Sequence, residues 1–356
     1  MWLTHQVVDV PPVLAQVTEY QCHGGACGNC GTWNVAEVPV GVAGSVVGTR
    51  LQAIAAALSG RFRLSRREVE DALVTLFGPK AQVALGTISK LEGETTRALA
   101  PVYEEAHQAA QAAPLASFDE TGWIEGRKKA WLWVMVTRFL TVFRIDRHRN
   151  TAAFKALAGS FQGVLSTDRW RVYLHWIKRL HQFCWAHLKR DFQSWKDLGG
   201  KEGRLGAACL EREAEIFALW HRFKGGEISR RTLLAYLRPV QKRLRKLLRR
   251  GRRYPLIAGT CEELLEYGSC LWVFTRIEGV EPTNNIGEQE IRPAVLWRKG
   301  SFGSHSPEGS RFVERMLTVT RSLRKQGRAV LEFLVEAITA HRSGKSAPSL
   351  LPDPGG

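Results

Sequence analysis

At Ala116 the hydrophobic pattern of this chain changes period, and that change limits what the chain can fold into more than any other feature. Residues 46–113 carry apolar side chains at helical spacing. Beyond them, residues 117–124, 129–137 and 140–146 read as three consecutive strands joined by tight turns, with Gly126-Arg127-Lys128 as the first turn. A short helix at 151–157 and a fourth strand at 163–167 follow. Meandering strands, then helix and strand, predict an α/β fold built on one sheet.

That order is the order of a ribonuclease-H-like core. In such a sheet one carboxylate sits midway along the first strand and a second at the end of the fourth. Asp119 (in Ser117-Phe118-Asp119-Glu120-Thr121-Gly122) and Asp168 (in Leu165-Ser166-Thr167-Asp168-Arg169-Trp170) occupy those two places. Glu288 opens a helix in Thr283-Asn284-Asn285-Ile286-Gly287-Glu288-Gln289-Glu290-Ile291-Arg292-Pro293, capped by Asn284 or Asn285. Neighbours in a strand face opposite ways, so of Asp119 and Glu120 only one joins a common site. Glu288 and Glu290 lie about 200° apart around a helix, with the same consequence. Three carboxylates on rigid elements suit two Mg²⁺ ions, with Mn²⁺ as a substitute, in chemistry on a phosphodiester. Any one of the 34 acidic residues is more often a plain surface charge. The apolar runs beside Asp119 and Asp168 weigh against that. The gap of 120 residues from Asp168 to Glu288 is too long for a loop and predicts an inserted domain.

Charge points to the partner. Lys and Arg number 51 against 34 Asp and Glu, a net +17. Such an excess suits a polyanion. No apolar run approaches the roughly 18 residues that span a bilayer, and the start lacks a signal peptide's pattern, so the expectation is a cytoplasmic, nucleoid-associated chain with no membrane partner. Eleven of the basic residues lie between Ser229 and Arg253, with no acid among them. Val240, Leu244, Leu247 and Leu248 form the apolar stripe of that helix, leaving Arg245, Lys246, Arg249 and Arg250 to face DNA.

Nearer the start, a helix from Leu64 to Phe77 with Ser65 as cap and Gly78 as stop, then a second from about Thr87, suggests a helix-turn-helix. An ordinary helical hairpin would give the same pattern. Cys22, His23, Cys27 and Cys30 fall within nine residues, and Cys27-Gly28-Asn29-Cys30 is half of a zinc-ribbon pattern. Cys22 or His23 would complete a Zn²⁺ site; an unclosed half-site is the alternative. The other cysteines read as buried small hydrophobes rather than a disulfide framework.

Several segments resemble the IS66 family of bacterial transposases: Asp119-Glu120-Thr121-Gly122, the Trp131-Leu132-Trp133-Val134 strand, and Cys184-Trp185-Ala186-His187-Leu188-Lys189-Arg190-Asp191-Phe192. So do Thr283-Asn284-Asn285 with Glu288 and Ile291-Arg292-Pro293, and Arg298-Lys299 with Ser301-Phe302-Gly303-Ser304. The resemblance implies a DDE transposase with Asp119, Asp168 and Glu288 as the triad, cutting the terminal inverted repeats of its own element and joining them to target DNA. It also implies an oligomer on paired ends, accessory proteins of the same element, and a further Cys-x-x-Cys upstream of Cys27. Arg292, Arg298 and Lys299 would contact phosphates beside the scissile bond, with Ser301 and Ser304 as donors. His187 and Arg190 would orient a carboxylate or touch DNA. The expected division is a zinc-binding or partial ribbon segment at 1–45 and a helical DNA-binding region at 46–113. The core follows at 114–192, then a basic helical insertion at 193–280, the second part of the core at 281–342 and a disordered tail at 343–356. A catalytically inactive DNA-binding derivative and a structure-selective nuclease on the same sheet are the alternatives.

Overall fold

The computed structural model describes residues 4–40, 42 and 44–352. In chain order, two short strands, β1 (Gly24–Ala26) and β2 (Trp33–Val35), precede the helices α1 (Thr49–Gly60), α2 (Arg66–Phe77), α3 (Leu85–Ala98) and α4 (Ala100–Gln111). Then come β3 (Leu115–Glu125), β4 (Lys128–Val136), β5 (Thr141–Asp146), α5 (Thr151–Ala158), β6 (Val164–Thr167) and β7 (His181–Phe183). Helices α6 (Trp185–Asp197), α7 (Gly200–Lys224), α8 (Arg230–Gly251), α9 (Ala258–Glu266) and α10 (Val273–Arg276) follow, and α11 (Asn285–Ser301), α12 (Pro307–Lys325) and α13 (Val330–Arg342) close the order. The chain divides into two compact units, one of Met1–Ala106, Trp123–Lys129 and Ala294–Gly356, the other of His107–Gly122 and Ala130–Pro293.

In the first unit α2 begins with a reciprocal cap. The Glu68 N–H donates to Ser65 Oγ at 3.3 Å, and the Ser65 N–H donates to Glu68 Oε2 at 2.7 Å. Gly78, at φ 80°, ends that helix in a conformation that disfavours a side chain. The next helix starts at Leu85, because Pro79–Ala81 turns as a short 3-10 segment first. Val69, Leu73, Val83, Ile88 and Leu91 make the local core. Helix α1 packs on α3 and α13, and α12 packs on α3. The hairpin tip Gly126–Arg127 has φ 53° and 67°, the left-handed pair that matches strand twist.

Composition predicts a disordered tail, but its described part, through residue 352, is anchored. Leu350 is buried; its N–H donates to Glu105 Oε2 at 2.8 Å and its carbonyl accepts from Gln326 Nε2 at 2.9 Å. Arg328 Nη1 donates to the Leu351 carbonyl at 3.1 Å. One leucine among prolines and serines supplies the apolar anchor, too small a signal to change a compositional reading. Residues 353–356 of that tail lie outside the described residues.

The second unit contains most of a five-stranded sheet of order β5-β4-β3-β6-β7. Strand β4 runs antiparallel to β5, while β6 runs parallel to both β3 and β7. Leu132, Trp133, Val134, Met135 and Val136 are all buried, so this part of β4 is covered on both faces and loses the two-residue alternation. The fifth strand, His181–Phe183, has no counterpart in the sequence reading. Helices α6, α7, α8 and α9 pack in succession, each on the next. Trp185, Phe192, Leu205, Ile216, Leu233, Leu244 and Leu248 belong to their common core.

Arg342 ties the first unit together. It is almost wholly buried, donating to Glu94 Oε1 at 2.8 Å, the Val47 carbonyl at 2.8 Å and Ser45 Oγ at 2.9 Å, and also to Gln52 Oε1. Arg342→Ala strands Glu94 without its counter-ion and should cost about 3 kcal/mol in urea unfolding of this unit. Arg342→Lys, lacking the planar fork, should recover less than half of that.

Candidate active site

Asp119 lies in the middle of β3, and Asp168 is the first residue past the end of β6, the parallel neighbour of β3. Glu288 stands in the first turn of α11. A short set of hydrogen bonds holds these three places together. The Cys184 N–H donates to the Thr167 carbonyl at 2.9 Å, beside Asp168. The Asn284 N–H donates to Cys184 Sγ at 3.1 Å, and Asn284 Nδ2 donates to the Phe118 carbonyl at 2.9 Å, beside Asp119. The Asn284 carbonyl then accepts the Glu288 N–H at 3.2 Å as the helix begins. Asn284 thus takes the position before the helix, as its cap was expected to, yet spends its amide on the sheet. Gly287 makes room for this: a Cβ there would meet the Asn284 side chain at 2.9 Å.

The three carboxylates sense one another. Burial first, then the charge of Glu120, then those of Asp168 and Glu288, push the Asp119 carboxyl from its ordinary 3.8 up to about 7. Asp168 Oδ1 accepts the Trp170 N–H at 2.9 Å, which fixes the turn that presents it. Glu288 Oε1 lies 3.7 Å from His187 Nδ1 and 3.5 Å from Arg190 Nη2, both on α6. Burial, then the Arg190 charge, hold the His187 imidazole below its usual range. A cleft of about 430 Å³ beside them is lined by Arg149, Asp168, Arg169, Trp170, His187 and Arg190, among others.

Glu120 and Glu290 each have hydrogen-bond partners of their own. Glu120 accepts from Arg149 Nη2 at 2.6 Å and from the Tyr173 hydroxyl. Arg149 also lies over the rings of Trp170 at 4.1 Å and Trp131 at 4.7 Å. This buried carboxylate, its arginine and its tyrosine flank the site, and sequence reasoning missed the last two. Glu290 is buried and accepts from Thr141 Oγ1 at 3.4 Å, so it is structural and not a neutral surface acid. His181, also buried and pushed down to about 3 by burial, shares a 2.7 Å hydrogen bond with Thr167 Oγ1 behind Asp168.

Other predicted residues stand elsewhere. Arg245, Lys246, Arg249 and Arg250 are exposed on α8, opposite the buried Leu244 and Leu248. Arg250 donates to the Tyr254 hydroxyl at 2.9 Å. Acids from neighbouring helices partly balance the run, since Arg243 pairs with Glu215 at 2.6 Å and Arg252 with Glu262 at 3.4 Å. Arg292 and Lys299 are exposed on α11 and Arg298 is half-buried. Ser301 and Ser304 are not available as phosphate donors. Ser301 Oγ donates to the Trp297 and Gly303 carbonyls at 3.0 and 3.1 Å, and Ser304 Oγ, which accepts from Trp123 Nε1 at 3.1 Å, donates to Ser310 Oγ at 2.7 Å, whose own hydrogen goes to Glu125. Cys22, Cys27 and Cys30 lie in an exposed segment where Cys30 Sγ donates to Thr32 Oγ1 at 3.2 Å. Among the described residues, neither they nor His23 bring three ligand atoms within 4.8 Å of one another; Cys184, His187 and Glu288 do. The remaining cysteines, Cys209, Cys261 and Cys270, are buried.

A family model described as Transposase IS66 family matches residues 73–311, a span that takes in all three carboxylates, Cys184 and Asn284. The chain belongs to the IS66 transposase family. It is also similar to an uncharacterized protein, y4qI, of Sinorhizobium fredii (strain NBRC 101917 / NGR234), 20% identical over 272 residues. That match covers 62% of this chain and 46% of y4qI, so the chain spans about half the length of the curated relative it matches. No helix among the described residues of this IS66-family chain is long and apolar enough to cross a membrane.

The raised Asp119 value makes the site testable without any substrate. A carboxyl whose folded value exceeds its unfolded one stabilises the fold below the unfolded value, and that contribution is lost as pH rises through the folded value. The metal-free protein should therefore lose stability between pH 3.8 and about 7. Asp119→Asn should be as stable as the native chain near pH 4 and more stable by about 3 kcal/mol near pH 8. Thermal unfolding at the two pH values checks this. A difference that ignores pH would take Asp119 out of an acidic cluster.

Proposed function

We propose that this chain is a DDE-type DNA transposase, cutting the terminal inverted repeats of its element and joining them to target DNA. The observation that carries the reading is the convergence of Asp119, Asp168 and Glu288 from a central strand, a neighbouring strand end and a helix start. Their charges bear on the same half-buried carboxyl. The strand order, with three strands in hairpin succession and two added in parallel beside the first, supports a ribonuclease-H-like core.

The donor set fits hard divalent cations. Three carboxylates supply oxygen ligands, and the burial and repulsion that raise Asp119 are what a bound cation would offset. Two Mg²⁺ ions, or Mn²⁺ in their place, would be held by Asp119, Asp168 and Glu288 and would supply activation of the attacking oxygen and stabilisation of the leaving one. The protein's own part is placement. The Cys184–Asn284 hydrogen bonds hold the carboxylates in register, and Arg190 and His187 set the direction of Glu288. Arg149, fixed by Glu120 and two tryptophans, offers a positive edge at the cleft for a phosphate.

The basic face of α8 is a proposed DNA contact, and Arg292, Arg298 and Lys299 on α11 are proposed, separately from it, as phosphate contacts. Each phosphate contact releases counterions and adds to the salt dependence of binding. Two element ends must be held at once, which calls for more than one copy of the chain, with accessory proteins of the element as further partners.

Asp119→Asn, Asp168→Asn and Glu288→Gln should each lower Mg²⁺-dependent cleavage of end-bearing DNA by about a thousandfold or more while leaving its binding within about threefold. A variant that cleaves normally removes its residue from the site. Cleavage by the native chain without joining favours the nuclease alternative, and binding with neither favours the inactive one. Changing Arg245, Lys246, Arg249 and Arg250 together to Gln should weaken DNA binding and reduce the slope of log affinity against log salt by about three or more. An unchanged slope assigns that face to another role.

A further inference from the structure

We propose that Cys184, His187 and Glu288 form a binding site for a thiophilic divalent ion of the zinc class, overlapping the all-carboxylate set at Glu288. One potential ligand atom from each of the three residues lies within 4.8 Å of the other two. The His187 Nδ1 to Glu288 Oε1 separation is 3.7 Å. Adjacent ligands around a tetrahedral ion with zinc-like bond lengths stand ~3.3–3.8 Å apart, so that pair needs no rearrangement and the sulfur a small one.

A second observation points the same way. His187 Nδ1 is enclosed and has no hydrogen-bond partner, although the half-exposed Glu288 carboxylate lies 3.7 Å from it. An enclosed ring nitrogen without a partner is costly unless something binds there. The donor chemistry is also unlike that of the carboxylate set. One sulfur, one imidazole nitrogen and one carboxylate oxygen select zinc, cobalt or another first-row ion over Mg²⁺. His187 also lines the cleft, so a fourth position would open toward solvent or substrate.

The surroundings suit a metal thiolate. Cys184 precedes α6, and its sulfur accepts the Asn284 N–H at 3.1 Å at the positive end of that helix. Burial first, and the Glu288 charge with it, push the thiol up against the backbone N–H groups that lower it, and metal binding would displace its proton. An ion held here would withhold Glu288 from the catalytic set. That consequence rests on the transposase reading; the binding itself does not.

The test uses the full chain with Cys22, Cys27 and Cys30 all changed to Ser, so that the exposed cysteines cannot contribute, and Co²⁺ as the probe. The expected result is a thiolate-to-cobalt charge-transfer band saturating at about one equivalent. Cys184→Ala in that background should abolish the band. His187→Gln, at a half-exposed position, should weaken Co²⁺ binding about tenfold or more with an unchanged circular dichroism spectrum. Asp119→Asn should leave the band in place. Absence of the band from the folded triple variant, or its survival in Cys184→Ala, overturns the proposal. A cobalt band in a chain that fails to cleave end-bearing DNA in Mg²⁺ with no cobalt present would count against the transposase reading alone, and cleavage in Mg²⁺ by a chain that shows no band on adding cobalt against this inference alone.

Discussion

One buried cysteine sulfur and one buried asparagine amide hold this site in place. Cys184 joins the end of β6 through its N–H and the start of α11 through its sulfur, and Asn284 joins α11 to the middle of β3. Each of these bonds touches the residue next to a carboxylate, or the turn that carries one. A net hydrogen bond contributes only about 1 kcal/mol, but one left unmade in a buried place costs more than that. The geometry is therefore held by the penalty for breaking it. Residues separated by up to 166 positions, Phe118 and Asn284, are brought together in this way.

Crowding negative charge is the cost of that arrangement. Burial, and then the charges of Glu120, Asp168 and Glu288, push the Asp119 carboxyl to about 7. Glu120 escapes the same fate only in part. Burial raises it, while the Tyr173 hydroxyl and Arg149 lower it. The two adjacent acids of β3 thus have opposite solutions: one is paired inside the protein, the other is left facing its like. A site built for structure would pair both. That no cation among the described residues pairs with Asp119 is consistent with a pocket whose charge is completed from outside.

The main strands were legible because their apolar, β-branched and aromatic runs are short and bounded by turn residues such as Gly126-Arg127 and Gly163. The structure gives Leu115–Glu125, Lys128–Val136, Thr141–Asp146 and Val164–Thr167 where the period pointed. His181–Phe183 was not legible: three residues carry too little period, and its pairing comes from β6. Strand and helix periods leave only one of Asp119 and Glu120, and one of Glu288 and Glu290, on a given face, which is as far as local pattern goes toward choosing site residues. The partners of Glu120 and Glu290 were hidden, since Tyr173, Arg149 and Thr141 approach from other elements. The role of Asn284 was hidden for the same reason. A cap residue can be recognised locally, whereas a side chain that leaves its own helix for a distant strand cannot. Ser301 and Ser304 were misread in the opposite sense, because a serine in a glycine loop looks free until its neighbours fold around it.

Helix α8 shows how much of a charge run survives folding. Its apolar stripe is strict, with Leu233, Leu237, Val240, Leu244 and Leu248 all buried, so every arginine and lysine is driven to the remaining faces. Along the sequence no acid interrupts the run, but in space Glu215 and Glu262 reach its flanks. Surface pairs of this kind are worth little in stability. Their larger effect is on the shape of the field, since they neutralise Arg243 and Arg252 and leave Arg245, Lys246 and Arg249 without a carboxylate partner among the described residues. The positive surface that remains is narrower than the sequence run and lies on one side of one helix. A narrow stripe tracks a phosphate backbone in a defined direction, whereas a diffuse basic surface would bind a polyanion in any orientation.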